Sequence, residues 1–182
     1  MSHLLDNRRH NIVTASNAWA SVNERQKLWR QMTMREPPFE GNEATAWGNL
    51  HERDALSAFE KEMGDFCMPG NKLIVHDSLP MGASADAYFN DDPVELKCPF
   101  SMEFYPTMPD RYYYQVQMQI HCTNRDQGWF SVWTPNGITV ELIKKDDKWL
   151  DWYKPLLLEF MEFVETDVEP TRWKRKPIYT KE

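Results

Sequence analysis

Three short strand-like segments in the middle of the chain constrain its fold more than any other sequence feature. They are predicted at residues 72–76, 83–89 and 94–98, where apolar and β-branched residues stand between clusters that favour turns. The turns are predicted at 80–82 and 90–93, both of which contain proline. The second turn is short enough for the strands on either side of it to pair, so this part of the chain predicts a sheet.

Helical patterns flank these strands on both sides. Helices are predicted at residues 17–21, 24–34 and 43–63 before the strands, and at 111–122 and 147–166 after them. We expect Gly64 to end the third helix and Pro155 to kink or divide the last. A hairpin is predicted from strands at 128–133 and 138–144. This order of elements predicts an α/β (α+β) fold in which a mixed central sheet is flanked by helices.

Length and composition predict one globular domain. The chain has 182 residues, 41% of them hydrophobic, so we expect a single domain over residues 1–182 with a basic tail at about 168–182. No apolar run approaches the roughly 20 residues of a membrane span, and the polar start carries no export signal. The spacing of the three cysteines fits neither a zinc site nor a disulfide framework. We therefore expect a cytoplasmic protein with reduced thiols and no membrane partner.

The net charge of the chain is unfavourable for binding nucleic acid. The net charge is −7, whereas contacts to phosphates require Lys and Arg. The distribution can override the sum, because Arg8 and Arg9 lie near the start and the segment 172–176 is basic. Acidic residues that gather in one site can also hold a metal ion.

The sharpest local signal is Glu95-Leu96-Lys97, preceded by Asp86. Alternate side chains of a strand face the same way, so Glu95 and Lys97 share a face while Leu96 points into the core. The 90–93 turn can bring Asp86 alongside Glu95. Two carboxylates and the carbonyl of Leu96 make a hard oxygen site suited to Mg²⁺, and Lys97 can orient or deprotonate a water or stabilise charge on phosphorus. The alternative is an exposed hairpin with solvated charges, and the pattern alone does not decide between them.

Four stretches in order carry a resemblance to a known family. They are Arg9 with Ile12-Val13-Thr14-Ala15-Ser16; Ala46-Trp47-Gly48 with Glu52 and Phe59-Glu60; Ser84-Ala85-Asp86 with Val94-Glu95-Leu96-Lys97-Cys98-Pro99; and Tyr114-Gln115-Val116-Gln117 with Trp129-Phe130 to Pro135. Together they resemble the lambda exonuclease and YqaJ-type viral recombinase family, within the PD-(D/E)xK nucleases. The chain departs from the family pattern at Ala85 and Ala87, where Pro and Gly are usual.

The resemblance implies a restriction-endonuclease-like core and a phage-type alkaline exonuclease. Such an enzyme digests one strand of linear double-stranded DNA from 5′ to 3′, with Mg²⁺ as cofactor, two ions in the site, and Mn²⁺ as a substitute. It is implied to form a ring-shaped trimer that threads DNA. It is also implied to act in homologous recombination with a single-strand annealing protein, in the cytoplasm of a bacterial host, encoded by a phage or prophage.

The resemblance assigns roles to residues by their match to the family motifs. Asp86, Glu95 and the carbonyl of Leu96 are implied to hold the metal, with Lys97 as the catalytic lysine. Glu52, on the third helix, is implied to hold a second metal ion or its waters.

Four further residues are implied to act around this centre. Gln115 would position the nucleophile or the metal-bound water; it is preferred to Gln117 because it shares a helix face with Gln119. Arg9 and Ser16 would bind the 5′-phosphate, and Ser16 is also predicted to cap the first helix, where backbone N–H groups attract anions. Asp77 aligns with a further acidic residue of the family across a gap.

Two other kinds of function remain open from the residues. One is a PD-(D/E)xK endonuclease or single-strand nuclease. The other is a non-catalytic module that binds DNA ends, although such a module has no reason to keep Asp86, Glu95, Lys97 and Glu52 together.

Overall fold

A computed structural model describes residues 11–37, 40–70 and 72–181. The α-helices of this part are α1 (Ala18–Asn23), α2 (Arg25–Met32), α3 (Glu43–Met63), α4 (Asp110–Thr123) and α5 (Asp147–Glu165). A 3₁₀ turn over Ala15–Asn17 leads directly into α1. Among the helices of these residues, none combines the length and apolar character needed to cross a membrane.

The strands form two sheets with helices packed on them. They are β1 (Val13–Thr14), β2 (Met68–Pro69), β3 (Ile74–Val75), β4 (Met81–Ala83), β5 (Ala87–Phe89), β6 (Asp92–Lys97), β7 (Gln127–Thr134) and β8 (Gly137–Lys144). The smaller sheet has the order β1-β4-β3, and the larger has the order β2-β5-β6-β7-β8. Strand β6 pairs antiparallel with β5 and parallel with β7, so the larger sheet is mixed, as the sequence predicts.

The longest helix has clear start and stop signals. The Asn42 side chain accepts a hydrogen bond from the Thr45 backbone N–H at 3.0 Å and caps the first turn. Gly64 follows the last turn with φ of 76°, a left-handed conformation that costs glycine little. The predicted bounds 43–63 are therefore confirmed. Ala55 and Phe59 are fully buried on this helix and anchor it to the larger sheet.

The predicted strand at 83–89 is wrong as a single element. Strand β4 ends at Ala83 and β5 begins at Ala87, and the three residues between them pass from one sheet to the other. The alternation of apolar residues continues through the crossing, so the sequence pattern hides the break. The prediction of one sheet is corrected in the same way, since β3 and β4 belong to the smaller sheet.

Pro155 does not divide the last helix, which was one of its two expected effects. Helix α5 runs unbroken from Asp147 to Glu165 with Pro155 inside it. Pro155 is exposed, so the carbonyl that loses its helical partner can bind water. Trp149, Tyr153 and Leu157 are fully buried on both sides of the proline, and their packing holds the two halves in one helix.

The larger sheet is covered on both faces, which orients the residues of β6. Val94 and Leu96 pack with Phe59 of α3 in one cluster. On the other face, Val116 and Ile120 of α4 pack against β7. Because side chains alternate along a strand, Glu95 points from β6 toward α4.

Candidate functional site

A cleft of about 620 Å³ opens at the end of β6, between α3 and the start of α4. Its lining includes three carboxylates and two cationic side chains: Glu52, Asp86, Glu95, Lys97 and Arg111. The backbone after β6, including Pro99 and Phe100, forms another wall. The cleft therefore collects acidic and basic groups that are far apart in the sequence.

The hairpin of β5 and β6 sets Asp86 beside Glu95. The Asp86 backbone N–H donates to the Val94 carbonyl at 3.1 Å, which continues the β5–β6 ladder by one residue. The Leu96 backbone N–H donates to Asp86 Oδ2 at 2.7 Å. The turn thus brings the two carboxylates into one cleft, as the sequence predicts, and the backbone of β6 fixes the orientation of Asp86.

Glu95 is a buried carboxylate with several partners, and only 2% of the residue is exposed. Gln115 Nε2 donates to its Oε1 at 2.7 Å, and Gln119 Nε2 donates to its Oε2 at 2.5 Å. The Lys97 ammonium forms an ion pair with Oε1. Both oxygens are therefore held in place, by one helix and by the neighbouring residue of the same strand face.

Gln119 is a site residue to which the sequence motifs assign no role. It lies one helical turn after Gln115, and that spacing was the available signal. Gln117 faces elsewhere: it is buried, donates to the Lys144 carbonyl at 2.8 Å and accepts from the Asp146 N–H at 2.9 Å. The preference for Gln115 over Gln117 agrees with these contacts.

The surroundings of Asp86 in the cleft raise its proton affinity. Burial, followed by repulsion from Glu95, raises the pKa of Asp86 to about 7, although the Leu96 N–H and Lys97 oppose the shift. For Lys97, burial favours the neutral amine, but attraction to Glu95 and Asp86 outweighs it and the pKa lies above its usual value. Lys97 therefore keeps its proton at neutral pH, which suits it to stabilising negative charge and not to deprotonating water.

The donor set of the cleft fits a hard divalent cation. Asp86 and Glu95 offer carboxylate oxygens, the ligand type that Mg²⁺ prefers. Burial is the main cause of the raised pKa of Asp86 and repulsion from Glu95 adds to it, and a cation between the two carboxylates would offset that repulsion. Within residues 11–37, 40–70 and 72–181, no three His, Cys, Asp or Glu side chains converge closely enough to hold a metal by themselves. Glu52 lines the cleft but is exposed and does not complete such a group.

The expected cap at Ser16 is wrong. Ser16 lies inside the 3₁₀ turn, and the residue before α1 is Asn17, which makes no side-chain capping bond. The 3₁₀ turn begins before α1 and includes Ser16. The Ser16 hydroxyl lies 3.3 Å from the Thr14 hydroxyl. Ser16 nevertheless lines a cavity of about 110 Å³ together with Thr14, Ser84 and Gln115. This small cavity adjoins the carboxylate site because Gln115 contacts both.

Among the described residues, the predicted site residue Asp77 lines neither the cleft nor the small cavity beside Gln115. Asp77 is exposed in the turn between β3 and β4, in the smaller sheet, and is absent from the residues that line the cleft. Arg9 lies outside the residues that the structure describes.

Gly70 packs closely against the backbone that carries Asp86, a contact that the sequence did not indicate. A Cβ atom on Gly70 would lie 2.1 Å from the Ala85 carbonyl oxygen and 2.5 Å from the Asp86 carbonyl carbon. Any side chain at position 70 would push on the backbone that carries Asp86. Ala85 and Ala87, the two alanines that depart from the family pattern, are both buried, and neither has a positive φ.

Comparison with solved structures shows the fold. An alkaline exonuclease from Laribacter hongkongensis, LHK-Exo, is 23% identical with a TM-score of 0.75, covering 93% of this chain and 95% of that one. LHK-Exo in complex with dAMP is 21% identical with a TM-score of 0.77 and the same coverage. A phage-related exonuclease from Haemophilus somnus 129PT is 16% identical with a TM-score of 0.72, covering 89% of this chain and 97% of that one. No curated protein sequence matches this chain.

A match between the sequence and a protein-family model shows the family of this chain. The model of the YqaJ-like viral recombinase domain matches residues 4–126, which include α3, the β5–β6 hairpin and α4. The matched range therefore contains every residue that lines the carboxylate cleft. The chain belongs to the YqaJ-like viral recombinase domain family.

Proposed function

We propose that the protein is a Mg²⁺-dependent exonuclease that digests one strand of linear double-stranded DNA from 5′ to 3′. The observation that carries the proposal is the placement of Asp86, Glu95 and Lys97 in one cleft, with both carboxylates oriented by hydrogen bonds. Membership of the recombinase family and the shared fold with alkaline exonucleases support nuclease chemistry. The similar LHK-Exo has been solved in complex with dAMP, which supports a nucleotide as ligand of this fold.

The residues of the chain would divide the work of phosphodiester hydrolysis. Bound Mg²⁺ would polarise the phosphate and lower the pKa of a water molecule. Asp86 and Glu95 would hold the ion, and Gln115 and Gln119 would keep Glu95 from rotating away. The Lys97 ammonium would stabilise the charge that develops on the phosphate oxygens. Glu52, on the exposed side of the cleft, would bind a second ion or its waters.

Strand polarity would come from recognition of the 5′-phosphate. The small cavity beside Gln115 is lined by the hydroxyl groups of Thr14, Ser16 and Ser84, which can donate to phosphate oxygens. Arg9 would add a charged fork. By resemblance to the family, we also propose a ring-shaped trimer and a single-strand annealing protein as partner in recombination.

One assay separates the candidate activities. Linear duplex carrying a 5′-phosphate and closed circular duplex are incubated with the protein, with and without Mg²⁺. Metal-dependent loss of the linear form alone supports the exonuclease. Cutting of the circle would instead indicate an endonuclease, and binding without digestion a non-catalytic end-binding module.

Metal binding is expected to strengthen as the pH rises toward neutrality. Because the pKa of Asp86 is raised to about 7, protons compete with the cation below that pH. Affinity for Mg²⁺ should fall roughly tenfold for each pH unit below about 7 and level off above it, since one proton is displaced. Higher Mg²⁺ should shift the midpoint of the activity profile to lower pH. Affinity that stays flat from acidic to alkaline pH would remove Asp86 from the metal site.

Substitutions at the phosphate cavity are expected to change end preference. Arg9→Ala and Ser16→Ala should each reduce the preference for 5′-phosphorylated over 5′-hydroxyl ends by roughly tenfold, the loss of one charged hydrogen bond. The measured quantity is the ratio of the initial rates on the 5′-phosphorylated and the 5′-hydroxyl duplex. Asn17→Ala, at the residue next to Ser16 that makes no capping bond, is the matched control. An unchanged ratio would take the substituted residue out of the site.

A further inference from the structure

A groove of about 420 Å³ lies on another part of the molecule, where the chain beyond α5 returns across α1 and α2. Residues 168–181 form this returning segment, here called the basic strap. The groove is lined by five cationic side chains and one acidic side chain: Arg25, Lys27, Arg30, Arg172 and Lys176, with Glu24. Such a concentration of positive charge runs against the net charge of −7.

Two of these cationic side chains form hydrogen bonds and ion pairs within the protein. Arg25 is buried, donates twice to the Thr171 carbonyl and lies 3.5 Å from Glu159. Arg30 pairs with Glu36 and Glu169. These contacts hold the strap against α2 and account for both charges.

The remaining cations are exposed and lack acidic partners. Lys27, Arg172 and Lys176 have no carboxylate within 4.0 Å in the described part of the chain, and neither have their exposed neighbours Lys174 and Arg175. Arg172 donates to the neutral amide of Gln26, and Lys176 lies 5.6 Å from the Trp19 ring centre. Unbalanced like charges repel each other, so their grouping favours a polyanionic ligand.

The strap holds these charges in a fixed arrangement. Trp173 Nε1 donates to the Val22 carbonyl at 2.8 Å, and the Arg25 guanidinium stacks 3.7 Å from the centre of the Trp173 ring. Trp173 is the aromatic residue among those that line the groove, and the Arg25 guanidinium covers one of its faces, so the groove offers mainly charge. This composition fits a sugar–phosphate backbone that is bound without regard to sequence.

The position of the groove relates it to the phosphate cavity. Helix α1 has six residues, so its ends are about 9 Å apart. Ser16 lies just before the first end, and the groove begins at Val22, near the other. The cavity and the groove therefore adjoin opposite ends of α1, whose length of about 9 Å corresponds to roughly three base-pair steps of a duplex. The strap continues to Lys181, which pairs with Asp110 next to the cleft residue Arg111.

We propose that the basic groove binds the phosphate backbone of duplex DNA beside the end that the cleft digests, an inference that rests on the proposed nuclease function. Lys27, Arg172 and Lys176 make the contacts, and Arg25 and Trp173 position them. The groove increases affinity for duplex DNA of any sequence. The cleft determines which phosphate reacts.

The test compares two double variants of the full chain that remove equal charge. Lys27→Gln with Lys176→Gln changes the groove, whereas Lys61→Gln with Lys72→Gln changes exposed lysines of α3 and the segment before β3. Duplex binding is measured by fluorescence anisotropy in EDTA between about 50 and 200 mM KCl. The groove variant should bind at least tenfold more weakly near 100 mM salt, with the salt slope reduced by about 2, since each phosphate contact contributes about 0.9. The control variant should bind as wild type does.

The outcomes separate this inference from the proposed function. Equal affinity and equal salt slope in wild type and groove variant would overturn the groove assignment, whether or not wild type digests DNA. If poly-L-glutamate binding falls in the groove variant while duplex binding does not, the groove takes an acidic protein and the inference is also overturned. Loss of duplex binding in the groove variant supports the groove even if wild type proves unable to hydrolyse DNA, a result that would refute only the nuclease.

Discussion

Replacing Lys97 with alanine is expected to lower the rate of DNA hydrolysis by at least about 10³-fold while end binding is largely retained. The ammonium of Lys97 pairs with Glu95 beside Asp86 and keeps its proton at neutral pH, so it is the cleft cation nearest the carboxylates. Its loss removes stabilisation from the charge that develops during phosphoryl transfer. The measurement is single-turnover digestion of a 5′-phosphorylated duplex at saturating Mg²⁺, with anisotropy for binding.

Two further variants make the Lys97 result interpretable. Lys97→Gln keeps much of the side-chain volume and can still donate to Glu95, so an equal loss of rate in this variant assigns the effect to the charge. Lys61→Ala, on the exposed surface of α3, should leave rate and stability unchanged within about 0.5 kcal/mol. Melting curves show whether each variant is folded at the assay temperature. A Lys97→Ala protein that keeps more than a tenth of wild-type rate would contradict the assigned role.

Replacing Asp86 with asparagine is expected to abolish hydrolysis and yet stabilise the metal-free protein at alkaline pH. The folded-state pKa of Asp86 is about 7, against about 3.9 in an unfolded chain, so the folded protein binds the proton more tightly. The resulting destabilisation is absent below about pH 4, grows as the pH rises to about 7 and is complete above it. Asparagine avoids this cost and can still accept the Leu96 N–H.

The expected size of the effect is measurable by thermal unfolding. If the substitution recovers about 2 kcal/mol, the Tm at alkaline pH in EDTA should rise by roughly 4–8 °C, because 1 kcal/mol shifts a protein of this size by about 2–4 °C. At pH 4 the two proteins should melt alike. Mg²⁺ should raise the Tm of wild type and not that of Asp86→Asn. Asp151→Asn, at an exposed acid on α5, is the matched control. A lower Tm for Asp86→Asn at alkaline pH would contradict the assigned environment.

Local patterns predicted the parts of the site that depend on neighbouring residues. The turn at 90–93 and the alternation along 94–98 were sufficient to place Asp86 beside Glu95 and to put Leu96 on the opposite face. The bounds of α3 followed from a helical pattern that ends at Gly64, signals that act within one or two turns, whereas the Asn42 cap was not predicted. These features are decided by short-range sterics and hydrogen bonding, which a single sequence contains.

Other features depend on contacts between distant segments and could not be predicted. Strands β1 and β2 have two residues each, too short for any periodicity, and exist because β4 and β5 pair with them. Gly70 is required by the approach of the Asp86 backbone, which no neighbour in the sequence indicates. Gln119 carried a usable signal in its spacing from Gln115, but only the packing of α4 against β6 shows that both amides reach Glu95.

The central claim is that the carboxylates of Asp86 and Glu95 hold a divalent cation, and soaking with Mn²⁺ tests it most directly. An anomalous difference map from a crystal soaked in Mn²⁺ should show a peak in contact with an oxygen of each carboxylate, and the peak should vanish in Asp86→Asn. A cleft without a peak at saturating Mn²⁺, or a peak bound only by other residues, would contradict the account.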